Sequence, residues 1–367
     1  MKITFIKDDL VDAISKVSSS VATKADVPAL TGILLTAKDK VLTLTGYDLE
    51  IGVKATITDV IIQEEGDIVI SAKLLNDLVK KAKDFRVTLV TDKKFGITVT
   101  SGKSKFKLIG MSPNEYPSLP SVEEEESFIL DGKTIKGIVS ETAYANSSDT
   151  TKPIYTGSLF QIENKTLTVV AVDGYRMAIV TEPVSEEINT SLVIPGKSLK
   201  TLVRLISDKN TVRFSAGKRF ISFSIENYTV YSRIIEGTFL DYKQTIPKEC
   251  KTTVTMKTNE LTEAIERLSL VVANEKVKSP VRVFVSEKGI LKLNQKTSMA
   301  DGEDELEVKV EGENVEIGFN NQFLLDALKS IESDEIKLSF NGSLAPMTIT
   351  PVNSDAQLAL VVPMRMS

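Results

Sequence analysis

The chain has 367 residues, of which 42% are hydrophobic and 26% are charged, and its formal net charge is −5. This length exceeds what one hydrophobic core usually holds, and the longest apolar runs are too short to predict a membrane span. The sequence contains no histidine and one cysteine, Cys250. These counts exclude histidine-based triads, thiolate metal clusters and an intrachain disulfide, so we expect no metal, no cofactor and a cytoplasmic location.

The sequence repeats one order of elements three times. Each copy begins with a short strand and a helix, continues through short apolar strands, and includes a second strand followed by a helix. Leu10, Ile135 and Leu261 hold equivalent positions in the first helices, at offsets of 125 and 126 residues. The predicted helices cover residues 8–20, 72–83, 132–145, 196–207, 258–271 and 320–331. Such repetition indicates a protein that builds a continuous surface from equivalent modules.

Two segments between the copies have the composition of exposed linkers. Pro113–Pro120 precedes the acidic run Glu123–Glu126, and Pro247–Glu249 lies between the second and third copies. They divide the chain into three predicted domains, residues 1–121, 127–247 and 248–367. Because alternating strands occur without regular βαβ order, the pattern predicts an α+β class with antiparallel sheets.

Basic residues concentrate on the second predicted helix of each copy, whereas acidic residues gather in Glu123–Glu126 and Asp301–Glu305. Ordinary solvated helix faces would explain each lysine taken singly. Threefold repetition favours another interpretation, in which equivalent helices line one basic surface that surrounds a polyanion without reading its sequence. The basic residues concerned are Lys73, Lys80, Lys81, Lys83, Lys197, Lys200, Arg204 and Lys329.

Six short motifs resemble, in order and spacing, those of the bacterial β sliding clamps, the β subunits of DNA polymerase III. The resemblance covers essentially the whole chain. It implies three tandem copies of the DNA-clamp fold, each with two helices and antiparallel sheets, in a chain that forms half of a six-domain ring. The motifs are Leu44–Glu50 (LTGYDLE), Glu115–Leu119 (EYPSL), Ala171–Ala178 (AVDGYRMA), Glu236–Tyr242 (EGTFLDY), Ala273–Lys276 (ANEK) and Val362–Met366 (VPMRM).

The function implied by the resemblance is that of a non-enzymatic processivity factor. Two chains would join head to tail as a homodimer, encircle double-stranded DNA and slide along it without sequence preference. DNA-facing residues implied by the family pattern are Lys24, Lys73, Lys80, Lys152, Lys197 and Lys200. A lining too sparse for tight phosphate binding would agree with sliding.

The resemblance also implies a groove that binds short, extended hydrophobic peptides. Its partners would be the replicative DNA polymerase, the clamp loader, repair polymerases and other clamp-motif proteins. Methionine suits such a groove because its flexible side chain repacks around several ligands. The implied lining is Tyr155, Val172, Gly174, Tyr175, Arg176, Met177, Leu240, Thr245, Pro346, Leu360, Val362, Pro363, Met364 and Arg365. Many relatives carry histidine where Tyr175 stands and proline where Leu240 stands, so we expect a different rim.

A seam between chains follows from the same family pattern. Edge strands of the first domain of one chain and the third domain of the other would pair, which leaves no free edge. The first domain would contribute Leu78, Lys103, Lys105, Phe106 and Leu108. The third domain would contribute Val271, Val272, Glu303 and Asp304.

Two other classes of protein stay open on the residues alone. An enzyme with a carboxylate pair in an interdomain cleft would fit a tripled domain, although the absence of histidine argues against it. A repeat scaffold or adhesin would need terminal caps and a secretion signal, and neither is evident in the sequence.

Overall fold

The computed structural model describes residues 1–123, 126–272 and 279–366. The ANEK motif and two residues of the acidic run, 124 and 125, therefore lie outside the described residues. All six predicted helices are present, and each ends two or three residues earlier than predicted. They are α1 (Lys7–Val17), α2 (Ala72–Lys80), α3 (Gly132–Thr142), α4 (Gly196–Leu205), α5 (Thr258–Ser269) and α6 (Asn321–Lys329). After α1, α3 and α5 the chain tightens into a 3₁₀ turn, which ends the regular α-helical hydrogen bonding.

The strands follow the same threefold order. The first copy contains β1 (Lys2–Ile6), β2 (Gly32–Lys38), β3 (Val41–Tyr47), β4 (Ile51–Ile57), β5 (Val60–Glu64), β6 (Gly66–Ser71), β7 (Arg86–Thr91), β8 (Gly96–Ser101) and β9 (Ser104–Ile109). The second contains β10 (Glu126–Asp131), β11 (Gly157–Glu163), β12 (Thr166–Val172), β13 (Arg176–Pro183), β14 (Thr190–Pro195), β15 (Thr211–Ala216), β16 (Phe220–Ile225) and β17 (Tyr228–Arg233). The third contains β18 (Thr252–Lys257), β19 (Val281–Ser286), β20 (Ile290–Lys296), β21 (Asp301–Glu307), β22 (Lys309–Gly312), β23 (Val315–Phe319), β24 (Glu335–Phe340), β25 (Met347–Pro351) and β26 (Gln357–Val361).

The chain folds into two compact units rather than one unit per copy. Unit 1 consists of Met1–Lys133 and Lys197–Ile234, and unit 2 consists of Thr134–Gly196 and Ile235–Ser367. The central copy therefore contributes strands to both units. The predicted domain bounds follow the sequence repeat and stay a prediction.

The described residues of each unit form two sheets, and their strand pairs are antiparallel. In unit 1 the strand orders are β5-β1-β7-β8-β9 and β10-β15-β16-β17-β4-β3-β2-β6. In unit 2 they are β14-β11-β12-β13-β26-β25-β24-β18-β22 and β21-β20-β19-β23. The predicted α+β class with antiparallel sheets is confirmed.

Helix packing follows the repeat residue by residue. In α1 the buried apolar side chains are Leu10, Ala13, Ile14 and Val17, and in α5 they are Leu261, Ala264, Ile265 and Leu268. This spacing of three and four residues places one apolar stripe toward the sheets. In unit 1, α1 packs against α2 and β4, and in unit 2, α5 packs against α6 and β21. No helix of the described residues is long and apolar enough to cross a membrane.

Candidate functional site

A tight turn joins β12 to β13 in unit 2. The Asp173 carboxylate accepts hydrogen bonds from the backbone N–H groups of Tyr175 and Arg176, at 2.9 and 3.0 Å. Gly174 has a φ of +94°, a backbone conformation that glycine adopts without a steric penalty. The local sequence Asp-Gly thus determines the turn that precedes β13.

Arg176 and Met177 are the first two residues of β13, and their side chains point to opposite faces of the nine-stranded sheet. Met177 pairs with Val172 on one side and with Leu360 on the other. All three belong to one buried apolar cluster, which we call the groove cluster. Its buried members are Leu159, Val170, Val172, Met177, Ile179, Val193, Tyr242 and Leu360, and its half-buried margin is Ile154, Tyr155, Ile235, Phe239, Leu240, Ile246, Leu358 and Val362.

Six of the predicted groove residues therefore meet in the groove cluster: Tyr155, Val172, Met177, Leu240, Leu360 and Val362. Thr245 adjoins them, because its Oγ1 lies 4.0 Å from the Met177 Sδ. Sequence reasoning missed Phe239 and Tyr242 as lining residues. Phe239 packs edge-on against Tyr155, with ring centroids 5.7 Å apart. Both residues lie in the EGTFLDY motif, so the motif could have identified them as lining residues of the cavity.

A cavity of about 530 Å³ opens beside the groove cluster, a size typical of ligand sites. Four residues belong both to its wall and to the cluster: Leu159, Phe239, Leu240 and Tyr242. Its remaining lining is Gln161, Ser191, Gly237, Thr238, Asp241 and Lys243. Apolar residues of the groove cluster and several polar side chains therefore line one cavity, a combination usual in ligand sites.

The side chain of Arg176, which precedes Met177 in β13, points to the other face of the sheet. Its guanidinium forms ion pairs with Asp173, at 2.9 Å, and with Asp326 on α6. It also lies over the rings of Phe323 and Tyr144, with its central carbon 4.5 and 5.4 Å from their centroids. Burial raises the pKa of Tyr144 to about 12, so this phenol stays neutral beneath the cation. Arg176 therefore links the turn at Asp173 to Asp326 on α6 and stabilises it.

The end of the chain passes from one sheet of unit 2 to the other. The Val362 N–H donates to the Tyr175 carbonyl, and the Met364 N–H donates to the Gly318 carbonyl, both at 2.8 Å. Met364 thus pairs with the edge strand β23, and its side chain is 36% exposed. The other predicted lining residues outside the groove cluster are Gly174, Tyr175, Pro346, Pro363 and Arg365. Of these, Tyr175 is exposed and stacks on Phe323 at 6.1 Å.

One of the predicted DNA-facing lysines, Lys197, already pairs with carboxylates of its own chain. Lys24, Lys73, Lys80, Lys152 and Lys200 are exposed. Lys197 forms ion pairs with Asp48 at 2.8 Å and Glu50 at 3.0 Å within unit 1. Partial burial alone would lower the pKa of Lys197, but the hydrogen bonds to these two carboxylates raise it. A phosphate that approached Lys197 would have to compete with both acids.

The first side of the predicted seam is the edge strand β9 of unit 1. Phe106 and Ile109 are 46% and 88% exposed, Lys103 and Lys105 are exposed, and Leu108 is half-buried. On helix α2 of the same unit, Leu78 is half-buried and Leu74 is 43% exposed. Ile109 and Leu74 are exposed apolar side chains that the sequence prediction of the seam did not include.

The second side is the edge strand β21 of unit 2. Asp301, Glu303, Glu305 and Glu307 are exposed in alternation along this strand. Asp304 faces the other way and forms an ion pair with Arg267 at 2.7 Å.

The predicted seam residues Val271 and Val272 differ in burial. Val272 is only 2% exposed, so its side chain packs in the interior of unit 2. Its neighbour Val271 is half-buried, whereas Leu270 is 75% exposed. The 3₁₀ turn Leu270–Val272 causes the difference, because three residues per turn point these side chains in three directions.

Three family models of the DNA polymerase III β subunit match consecutive parts of the chain. The N-terminal domain model matches residues 1–120, the central domain model residues 129–241 and the C-terminal domain model residues 243–365. Together they repeat the threefold order that the sequence and the strands display.

Full-length relatives and solved structures agree with these matches. The β sliding clamp of Halalkalibacterium halodurans is 31% identical to this chain, over 98% of both chains. That of Bacillus subtilis is 30% identical to it, over 100% of both chains. The crystal structure of the Bacillus subtilis sliding clamp has a TM-score of 0.96 at 29% identity, with both chains fully covered. A Pseudomonas aeruginosa sliding clamp bound to griselimycin has a TM-score of 0.92 at 25% identity, again over both whole chains. The chain therefore belongs to the DNA polymerase III β subunits, the β sliding clamps, which are non-catalytic processivity factors of DNA replication.

Proposed function

We propose that this sliding clamp acts as a head-to-tail homodimer, in which two chains of three domains close a six-domain ring around duplex DNA at the bacterial nucleoid. Such a ring confers processivity on the replicative polymerase by topology, since a closed ring slides along the duplex but does not dissociate sideways. The observation that carries the proposal is the complementary chemistry of β9 and β21, the exposed edges of two different sheets.

Both edges carry a charged side chain at every second residue, and these charges are positive at β9 and negative at β21. Lys103, Lys105 and Lys107 recur every second residue along β9 and the turn before it, and four acidic side chains recur every second residue along β21. Pairing of two such edges would satisfy their unpaired backbone groups and set each lysine near a carboxylate. Phe106, Ile109 and Leu74 on one side, with Leu270 on the other, supply apolar surface for the same contact.

The ring and its topology are tested together on circular DNA. The clamp would be loaded on nicked circular DNA by a bacterial clamp loader with ATP, separated from free protein and challenged with a linearising nuclease. We expect retention on the circle and loss after linearisation. Loss from the intact circle at the same rate as from linear DNA would contradict the ring.

Contact with DNA involves phosphates rather than bases in this proposal. Lys24, Lys73, Lys80 and Lys200 are exposed in unit 1, and Lys152 is exposed in unit 2. Lysine on a flexible stem binds phosphate as a point charge and carries no sequence readout. Few contacts of this kind would leave the clamp free to slide.

The groove cluster and its cavity bind the clamp's partners. Short, extended hydrophobic peptides from the replicative polymerase, the clamp loader, repair polymerases and other clamp-motif proteins are the proposed ligands. Support comes from the groove cluster, which contains the adaptable Met177 and the aromatic pair Tyr155 and Phe239, and from the cavity of about 530 Å³ whose lining includes Phe239. The griselimycin-bound relative shows that a clamp of this fold accepts a ligand.

A probe peptide, acetyl-Ser-Leu-Ser-Leu-Phe, tests this site, because alternation in an extended chain puts both leucines on one side. We expect one peptide per chain by titration calorimetry. Leu240→Asp, which places a charge at the cavity wall, should abolish binding, whereas the control Leu344→Asp, at a position 87% exposed, should not. Equal affinity of the Leu240→Asp variant would refute the site.

A further inference from the structure

Each of the three copies contains the same tight turn ahead of one of its strands. The turn begins at Asp48 before β4, at Asp173 before β13 and at Thr297 before β21. A side-chain oxygen of this first residue accepts hydrogen bonds from the backbone N–H groups two and three positions later, at 2.7 to 3.2 Å. The N–H of the same residue donates to the carbonyl three positions later. The three turns are therefore equivalent in structure as well as in position.

Two of these turns are held by the second helix of the next copy. On α4, the Lys197 ammonium pairs with Glu50 of the first turn at 3.0 Å. On α6, the Phe323 ring stacks on Tyr175 of the central turn, with centroids 6.1 Å apart. Glu50 and Tyr175 both stand two residues after the start of their turn. In the third turn this position belongs to Met299, whose side chain is 91% exposed.

The second helix of the first copy, α2, presents a matching surface. The three second helices align on a buried leucine, which is Leu75, Leu199 or Leu324. Phe323 stands one residue before this leucine, and in α2 the same position belongs to Leu74, which is 43% exposed. Met299 of unit 2 and Leu74 of unit 1 are thus exposed apolar side chains. Their counterparts in the central and third copies, Tyr175 and Phe323, are in contact.

The strand after each held turn pairs with the last strand of the next copy, in one register. The residue five positions after the start of the turn is Val53 in the first copy and Ala178 in the central copy. Val53 lies opposite Val230 of β17, and Ala178 lies opposite Ala359 of β26. All four side chains are buried. The edge strands β21 and β9 can be compared with these pairs residue by residue.

Gly302 and Phe106 hold the same two positions on the edge strands. Gly302 stands five residues after Thr297. The last strands share one pairing pattern within their own copies: Val230 with Phe223, Ala359 with Ile349 and Phe106 with Val99. Through one further strand, these partners connect to residues seven positions before the aligned helix residues Leu10, Ile135 and Leu261, namely Ile3, Phe128 and Val254. Phe106 is therefore the counterpart of Val230 and Ala359.

A phenylalanine opposite a glycine fits the surface that β21 offers. A β-carbon at position 302 would lie 2.9 Å from the Val271 Cγ2 and 3.0 Å from the Leu268 Cδ2. These two side chains therefore reach the strand where the glycine has no side chain. Directly opposed residues place their side chains on the same face of a sheet, so the ring of Phe106 would cover the glycine and contact both. Aromatic side chains stabilise glycines of edge strands in this way.

We propose that the seam between two chains is a third junction of this kind, in which the turn at Thr297 of one chain docks on α2 of the other and Met299 contacts Leu74. The inference rests on the proposed homodimer and adds to it a contact outside the two edge strands. In the same register, Phe106 faces Gly302, and Lys103, Lys105 and Lys107 face Glu305, Glu303 and Asp301. The partner that covers the exposed Leu74 is therefore a second copy of this chain.

A double-mutant cycle on the full-length chain tests the contact, with the dissociation constant of the dimer measured by sedimentation. Met299→Ala and Leu74→Ala should each raise this constant about tenfold, because the dimer contains the contact twice. The double variant should resemble either single variant, since the effects of residues in contact are not additive. Leu344→Ala, at a position 87% exposed in the same unit as Met299, is the control and should change nothing.

Disulfide cross-linking tests the register in chains that also carry Cys250→Ser. Lys105→Cys with Glu303→Cys should give covalent dimers on mild oxidation, because opposed residues bring their Cα atoms about 4.5–5.5 Å apart. Lys105→Cys with Glu305→Cys, two residues out of register, is the matched control and should give few.

The outcomes separate the inference from the proposed homodimer. A natural chain that sediments as a monomer at every concentration removes both. A dimer in which Met299→Ala and Leu74→Ala act additively, or have no effect, keeps the homodimer but overturns the contact. A dimer that cross-links through position 305 instead of position 303 keeps the homodimer but overturns the register.

Discussion

The guanidinium of Arg176, at the start of β13, forms an ion pair with the carboxylate of Asp326 on α6. The two side chains are only 12% and 26% exposed, so solvent screens the pair weakly. Because the same guanidinium also binds Asp173, a helix of the third copy holds the turn that precedes the groove strand of the central copy.

Asp326→Asn should destabilise unit 2 because it removes one of the two carboxylates that pair with the Arg176 guanidinium. Since Asp173 remains as a partner of Arg176, we expect a loss of about 1–3 kcal/mol in the free energy of unfolding. Urea unfolding followed by circular dichroism measures it, with the exposed Asp355→Asn as control. An unchanged midpoint would show that the ion pair contributes no net stability.

The two lysines of α4 should differ in their contribution to DNA binding. Lys200→Ala removes an exposed charge and should reduce the slope of log affinity against log salt by about 0.9. Lys197→Ala should change the slope less, because Asp48 and Glu50 already pair with that lysine. Fluorescence anisotropy with duplex DNA at several salt concentrations measures both slopes. A larger effect of Lys197→Ala would mean that DNA displaces the two acids.

Phe106→Ala should weaken the dimer. A half-exposed aromatic side chain on an edge strand is the type of residue that anchors an interface, and its loss should cost about 2 kcal/mol, or roughly 30-fold in Kd. Sedimentation velocity over a concentration series measures the change. Phe85→Ala, at a position 63% exposed in the same unit, is the matched control. Equal dissociation constants for the two variants would remove Phe106 from the seam.

Stability should depend on pH through Glu141. Burial, together with the nearby carboxylates of Glu182 and Glu332, raises the pKa of Glu141 to about 7. The folded chain then binds more protons than the unfolded chain between about pH 4.5 and 7, so stability falls as pH rises through this window. Glu141→Gln should raise the melting temperature at pH 8 and leave it nearly unchanged at pH 4.5. A constant difference across this range, or none at pH 8, would contradict the assignment, and Glu313→Gln is the exposed control.

Removal of residues 362–367 should abolish peptide binding while the dimer stays intact. The truncation takes away Val362 from the margin of the groove cluster and the hydrogen bond from its N–H to the Tyr175 carbonyl. The described seam residues all lie elsewhere in the chain. Calorimetry with the probe peptide and sedimentation of the same sample measure both properties. Unchanged peptide affinity would refute the role of the tail.

Most of the local structure could be predicted because it depends on neighbouring residues. The six helices follow from apolar positions three and four apart, as in Leu10, Ala13 and Ile14. The turn at Asp173-Gly174 follows from an aspartate that caps two N–H groups and a glycine that accepts a positive φ. The same strand and helix pattern recurs in three places along the chain, so one prediction applies to each copy. The family resemblance that rested on the motifs is confirmed.

The sequence by itself determined the threefold order of elements, the class of fold and the family of the chain, since these depend on spacing along the backbone. Only the tertiary structure decided that Val272 is buried beside an exposed Leu270, that Arg176 pairs with Asp326 on α6 and that Asp48 and Glu50 pair with Lys197. It also decided that Leu119 lies against Gly52. The physical reason is the same in each case: a side chain's face and partner depend on contacts with residues far away in the sequence, and spacing alone does not encode them.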